Sequence, residues 1–225
     1  MKLKYFSHSA FQITTESGKI ILIDPFITGN PTATLKTEDI NADYIILTHA
    51  HGDHIGDAFE IAKRCDSLII AVNELANYAI RKGLKAHNMH IGGSYNFDFG
   101  KVKFTIAHHG SLTPDGNYGG EPAGVIVTAD GKSVYHTGDT GLFYDMKLIG
   151  KMDKINYMLL PIGDNFTMGI TDAVKAVELT NPDYAIPMHY NTFPVIEADP
   201  AVFKSKVEAL GKKSLVLEFG QEIDL

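Results

Sequence analysis

The sequence predicts an α/β (α+β) chain folded as a four-layer αββα sandwich. Short β-branched runs recur through the whole chain, and each half shows several strands followed by strand–helix units. No linker, low-complexity tract or short-period repeat divides the halves, so residues 1–225 read as one domain.

Taken in order, residues 2–6 alternate, and residues 10–15 repeat the pattern after the small turn Ser7-His8-Ser9. Residues 19–23 are almost wholly apolar and end at Asp24-Pro25. Three antiparallel strands joined by tight turns follow from these runs. Residues 26–41 contain Gly29, Asn30 and Pro31 without a clear period, which predicts a loop with one short helical turn. Residues 44–48 read as a buried strand. Residues 55–64 carry Ile55, Ala58, Phe59 and Ala62 near helical spacing and read as a helix. A strand at 67–72 precedes a helix at 74–82 that Gly83 stops. Strands at 85–91, 94–99 and 101–108 are separated by Gly92-Gly93 and Gly100. Residues 110–124 hold five glycines and two prolines, which predicts a long mobile loop. Residues 124–129 and 133–136 form a hairpin across Asp130-Gly131. The rest reads as strand 156–161, helix 171–179, strand 184–188, helix 200–210 and a final strand 214–219.

Composition narrows the function. With 44% hydrophobic and 21% charged residues the chain fits a soluble globular protein. A net charge of -7 and a pI near 5.8 run against a partner as polyanionic as nucleic acid. The single Cys65 excludes an internal disulfide and a cysteine-based zinc site; it ends a predicted helix and reads as inert. Met1-Lys2-Leu3-Lys4 is followed by no apolar h-region, and no run approaches the roughly 18 apolar residues of a membrane span. A cytoplasmic protein acting on a small molecule is the expectation, with self-association left open.

The chemistry concentrates in His49-Ala50-His51-Gly52-Asp53-His54. This run leaves the C-terminal end of a predicted strand and opens a predicted helix. His49 and His51 can point the same way, while Asp53 and His54 project from the first helical turn toward a second position. One short segment can thus offer two ligands to each of two metal ions. A histidine-rich surface turn would need no such spacing. Further donors stand at other strand ends: the doublet His108-His109, Asp139 in HTGDT, and His189 in PMHYN.

The run THAHGDH resembles the HxHxDH signature of the metallo-β-lactamase superfamily. Asp24, the cluster, a His, an Asp and a His also follow in that superfamily's order. The stretches Ser7-His8-Ser9, IDPF, HIGGS, HTGDT, LPIGDNFTMG and PMHYNTFP look like a bacterial family of metal-dependent hydrolases similar to the ascorbate-6-phosphate lactonase branch. The resemblance implies that His49, His51 and His109 hold one metal and that Asp53, His54 and His189 hold a second. Asp139 would bridge them, and Asp24 would orient the cluster by hydrogen bonding from behind. It selects His109 over His108, because the family's ligand directly precedes Gly-Ser. Strand alternation separates the doublet too: His109 shares a face with Ala107 and Thr105, His108 with Ile106 and Phe104.

Imidazole and carboxylate donors without thiolate suit Zn²⁺ or Mn²⁺, with Fe²⁺ also admitted. Two divalent ions per chain, roughly 3.5–4 Å apart, can hold a bridging hydroxide whose pKa falls to about 7. The reaction class is then hydrolysis of an ester, lactone, phosphoester or amide bond in a small molecule, with Asp53, Asp139 and His136 as catalytic candidates. A nuclease or phosphodiesterase of the same superfamily would usually add a clamp domain or a basic exosite, which this acidic chain lacks. An iron-dependent oxygenase is a further alternative. His8, Asn165 and Tyr190 are expected substrate contacts. Each has a plainer alternative: a turn residue for His8, a cap on the loop before helix 171–179 for Asn165, and mere proximity to a ligand for Tyr190. His136 is read either as a donor to substrate or as a buried, hydrogen-bonded histidine. His87 and His90 read as structural.

Overall fold

The computed structural model describes residues 1–225. The first half runs β1 (Lys2–Ser7), β2 (Ala10–Thr14), β3 (Ile20–Ile23), β4 (Tyr44–Ile46), α1 (Gly52–Ile55), α2 (Ala58–Cys65), β5 (Leu68–Val72), α3 (Asn73–Arg81) and β6 (Ala86–Met89). The second runs β7 (Ser94–Phe97), β8 (Gly100–Ile106), β9 (Ala123–Ala129), β10 (Lys132–His136), α4 (Met146–Met152), β11 (Tyr157–Pro161), α5 (Ile170–Thr180), β12 (Tyr184–Met188), α6 (Pro200–Ala209), β13 (Lys213–Ser214) and β14 (Glu222–Asp224). Single 3-10 turns lie at Thr37–Asp39 and Pro194–Ile196.

Two seven-stranded sheets result, ordered β14-β1-β2-β3-β4-β5-β6 and β13-β12-β11-β10-β9-β8-β7. Each begins as an antiparallel meander and continues parallel, the first from β3 through β6 and the second from β10 through β13. Parallel strands buried on both faces must be apolar throughout, and β3 (IILI) and β5 (LIIAV) are. Period-two alternation sorts the second sheet between two layers. Tyr157 and Leu159 of β11 and Val125 and Val127 of β9 join the large apolar cluster shared with the first sheet. Met158, Leu160 and Ile126 turn the other way, into a cluster with Ala173 and Val177 of α5 and Phe203 of α6. Ile61 of α2 and Leu75 of α3 belong to the large cluster, so these helices cover the first sheet. Each fully buried Leu, Ile or Phe contributes about 1.5–3 kcal/mol. The four-layer arrangement is the expected one, and no helix is long and apolar enough to cross a membrane.

Several boundaries differ from expectation. The single helix at 55–64 is two, α1 and α2, because Gly56 at φ 44 turns the chain between them. A Cβ there would lie 2.5 Å from the Pro25 carbonyl oxygen. Asp57 then accepts the backbone N–H groups of Ile27 and Thr28, tying α2 to the loop after β3. The strand expected at 214–219 stops after Ser214. Leu217 and Phe219 instead leave the second sheet to pack on the large cluster, and β14 pairs antiparallel with β1. Helix α4 has no expected counterpart: it holds Gly150, and only Met146 in it is buried. The 110–124 segment folds back on itself through a Leu112–Tyr118 bridge.

Gly138 places the residue after it. It lies at φ 63, and a Cβ would come 2.4 Å from the Ala123 carbonyl oxygen. Gly138→Ala should cost at least about 1–2 kcal/mol from the left-handed backbone alone. Urea unfolding is the measurement, and the midpoint should fall.

Candidate metal centre

The strand-end donors converge where parallel strands of both sheets end. Asp24 follows β3 directly, at φ 47. Its Oδ1 accepts the Thr48 N–H at 2.9 Å, and its Oδ2 accepts the Thr48 O–H at 2.6 Å and the His54 Nδ1–H at 2.7 Å. One buried carboxylate thereby fixes the exit of β4 and the ring of His54. The short turn of α1 then carries Asp53 and His54 to one side, while His49 and His51 lie on the other, with His49 Nε2 3.0 Å from His51 Nδ1.

Three groups of donor atoms form, each within 4.8 Å: Asp24, His49 and His54, where Asp24 is already engaged with Thr48 and His54, and two others, His49, His51 and His109, and His8, Asp53, His54 and His189. Asp139 stands between these two. Its Oδ2 lies 3.0 Å from His189 Nε2, 3.2 Å from His54 Nε2 and 3.6 Å from His109 Nε2. His54 Nε2, both ring nitrogens of His189 and Asp139 Oδ1 are buried without a hydrogen-bond partner of good geometry. Such atoms cost about 1–3 kcal/mol each. Unpartnered imidazole and carboxylate donors aimed at common points fit divalent cations.

Electrostatics follow burial and proximity. Burial opposes charge on Asp139, yet His189 and His54 outweigh it and hold the carboxyl well below the carboxylate range. Burial likewise opposes charge on His54, and Asp139 and Asp24 outweigh it, holding the ring well above its ordinary pKa. Burial lowers His49, His51 and His109, and pushes His8 down to about 4. These four rings are neutral near pH 7, the form in which imidazole binds a cation. Asp53 is held below the carboxylate range: burial works against its charge, but the His8 hydrogen bond and the His54 charge prevail.

The doublet lies just beyond β8, which ends at Ile106, and its two rings separate. His109 joins His49 and His51, whereas His108 is exposed and packs its ring against Phe143 at 4.9 Å. Three residues expected to act on substrate lie elsewhere. His136 is fully buried, with Nε2 donating to the Ser9 carbonyl at 2.9 Å and Nδ1 accepting the Gly138 N–H at 3.1 Å. Both nitrogens are occupied, so the hydrogen-bonded reading describes it and no proton is on offer. Tyr190 turns into the outer apolar cluster beside Phe219, and burial raises its phenol to about 12. Asn165 is exposed at φ 51 and caps nothing; α5 begins at Ile170, with Gly169 at its N-cap and no side-chain cap. His8 is neither a plain turn residue nor an open pocket wall. It is fully buried among the donors, with Nε2 3.2 Å from Asp53 Oδ2. Sequence reasoning missed Thr192, 2.9 Å from His8 Nδ1; its only signal was its place in PMHYNTFP. His87 packs on Tyr95 and Phe97, in keeping with a structural role.

Residues 19–190 match the β-lactamase superfamily domain. A UPF0173 metal-dependent hydrolase of Anoxybacillus flavithermus is 53% identical over the full length of both chains. The chain belongs to this family of metal-dependent hydrolases. Family membership extends to solved structures. Igni18, a metallo hydrolase from the archaeon Ignicoccus hospitalis, is 42% identical, with a TM-score of 0.91 over 99% of this chain and 97% of its own. A metal-dependent hydrolase structure from Parabacteroides distasonis is 25% identical, with a TM-score of 0.75 over 96% of this chain and 92% of its own. The metallo-β-lactamase fold of the family is thus the fold of this chain.

Two outcomes follow for the donors. Added Zn²⁺ or Mn²⁺ should satisfy the unpartnered atoms and raise the melting temperature over that in chelator. At a hundredfold excess over Kd the gain is about 2.7 kcal/mol, or roughly 5–10 °C for a chain of this size, read by scanning calorimetry. His109→Ala should lose metal, measured by elemental analysis of the dialysed protein, whereas His108→Ala should keep wild-type metal content.

Proposed function

We propose that this chain is a binuclear metal-dependent hydrolase of a small molecule, cleaving an ester, lactone, phosphoester or amide bond. The observation that carries the reading is the position of Asp139 Oδ2, within 3.6 Å of imidazole nitrogens from both donor groups. His49, His51 and His109 would hold one ion, Asp53, His54 and His189 the other, and Asp139 both. When bound, two such ions supply Lewis acidity and a water acidified to near neutrality as nucleophile. The N/O donor set suits zinc, manganese or iron.

The chain's own residues do the rest. Asp24 accepts the Nδ1–H of His54, which keeps the proton on Nδ1 and turns Nε2 inward. His49, His54, His189 and Asp139 are sealed from solvent, while His51, Asp53 and His109 are partly open. Substrate therefore enters past these three. Gly110 stands beside that entrance, where a Cβ would touch the His51 ring at 3.7 Å. The 110–124 segment is held over it by the Ala50 N–H donating to Ser111 Oγ at 3.3 Å. No side chain at the entrance is a serine or cysteine poised beside a base, so attack by water rather than by a protein nucleophile is the reading favoured.

The test pairs stoichiometry with charge. Protein prepared without chelator should carry two ions per chain, counted by elemental analysis. Asp139→Asn keeps the size and removes the charge shared by both groups. It should fold, lose most of kcat on a substrate found by screening lactones, phosphodiesters, phosphorylated sugars and acyl amides, and act best at higher pH. A single ion per chain, or a near-native rate and pH profile in Asp139→Asn, would contradict the binuclear reading.

A further inference from the structure

Asp53 is lightly held by its own element. It sits on the four-residue α1, and its side chain is 31% exposed. Its carboxylate has one side-chain hydrogen bond, from His8 Nε2 to Oδ2 at 3.2 Å. His8 is a buried residue in the two-residue turn between β1 and β2, held at φ 54. Its carbonyl accepts the His189 N–H at 2.7 Å and the Tyr5 O–H at 3.0 Å, which anchors the turn to the end of β12. The ring is flanked by His189 at 4.0 Å and by the edges of Phe26 and Phe193 at 5.7 and 5.6 Å. An imidazole so enclosed has one orientation.

The tautomer follows from Asp53. A carboxylate can only accept, so the 3.2 Å contact of Nε2 with Asp53 Oδ2 places the ring proton on Nε2. In the neutral ring Nδ1 is then an acceptor, and the Thr192 hydroxyl at 2.9 Å donates to it.

We propose that His8 is a positioning residue, oriented by Thr192, that fixes the Asp53 carboxylate against the second cation position. The hydrogen bond occupies Oδ2 and holds the rotation of the carboxylate, which α1 is too short and too exposed to do. The proposal rests on the binuclear reading above and adds to it a role for the N-terminal turn. A direct His8 ligand is the competing arrangement, and the proton on Nε2 is what separates the two.

The experiment loads wild type, His8→Ala and His8→Gln with Zn²⁺, follows binding by calorimetry and records the histidine ¹⁵N spectrum of the zinc-loaded wild type. His8→Ala should keep the tight equivalent at His49, His51 and His109 and weaken the second about 10–100-fold. His8→Gln carries an amide N–H close to where Nε2 was and should recover most of that loss. The His8 resonances, assigned by through-bond correlation from backbone to ring in the wild type, should show the proton on Nε2. If Gln is no better than Ala, or if the proton lies on Nδ1 with Nε2 on zinc, His8 is not a positioning residue. The spectrum needs only the wild type, so it decides the matter even if a variant fails to fold. A wild type that takes up one equivalent overturns the binuclear reading instead.

Discussion

A carboxylate with 2% exposure, one oxygen unpartnered and the other crowded by three imidazoles, is the constraint on which this structure depends. An ionised group so placed carries a desolvation penalty of several kcal/mol unless positive charge is brought to it. Imidazoles meet Asp139 from both halves of the chain, His54 from the exit of β4, His109 from the exit of β8 and His189 from the exit of β12, and His54 is held well above its ordinary pKa. The sheets face each other in the one arrangement that lets these loops meet. The left-handed backbone at His8, Asp24 and His189 is part of the same requirement, since each residue must turn its side chain inward immediately after a strand.

Support for the donors comes from polar groups that are themselves buried. Asp24 serves two elements at once, and Thr48, directly before His49, shares its carboxylate with His54. Removing such a partner leaves the next group unpaired in a low-dielectric setting, which is why networks of this kind hold a single geometry when complete. On the first-sheet side β14 pairs with the start of β1, at Lys2–Lys4, and covers that edge of the strand leading to His8.

Much of this was legible in the sequence, for identifiable reasons. Spacing in THAHGDH exposes two ligand directions, and apolar runs ending in His or Asp mark the exits of β3, β4, β10 and β12. Alternation tells His108 from His109 but does not say which turns inward, because the buried face of β8, Val102 and Phe104, is the one it gives to His108. What was not legible depends on side-chain direction beyond a strand's end. Tyr190 adjoins a ligand yet points into the outer core, and His136 spends both nitrogens on the backbone of other segments. Neither outcome leaves a trace in local pattern. The break at Gly56 and the crossing of residues 215–220 between sheets are set by tertiary packing, which overrides the periodicity that suggested one helix and one strand.

The spread of the donors along the chain has a consequence for how the centre is made. His49 and His189 are separated by 140 positions, the difference of their numbers, and they stand on different sheets, after β4 and β12. Contacts that distant in sequence form late, after the entropy of closing long loops has been met. During synthesis the HAHGDH segment emerges with four donors and neither Asp139 nor His189 to complete them. The finished set therefore arises as a product of folding, and metal selection by the whole centre is a property of the mature chain rather than of the nascent one.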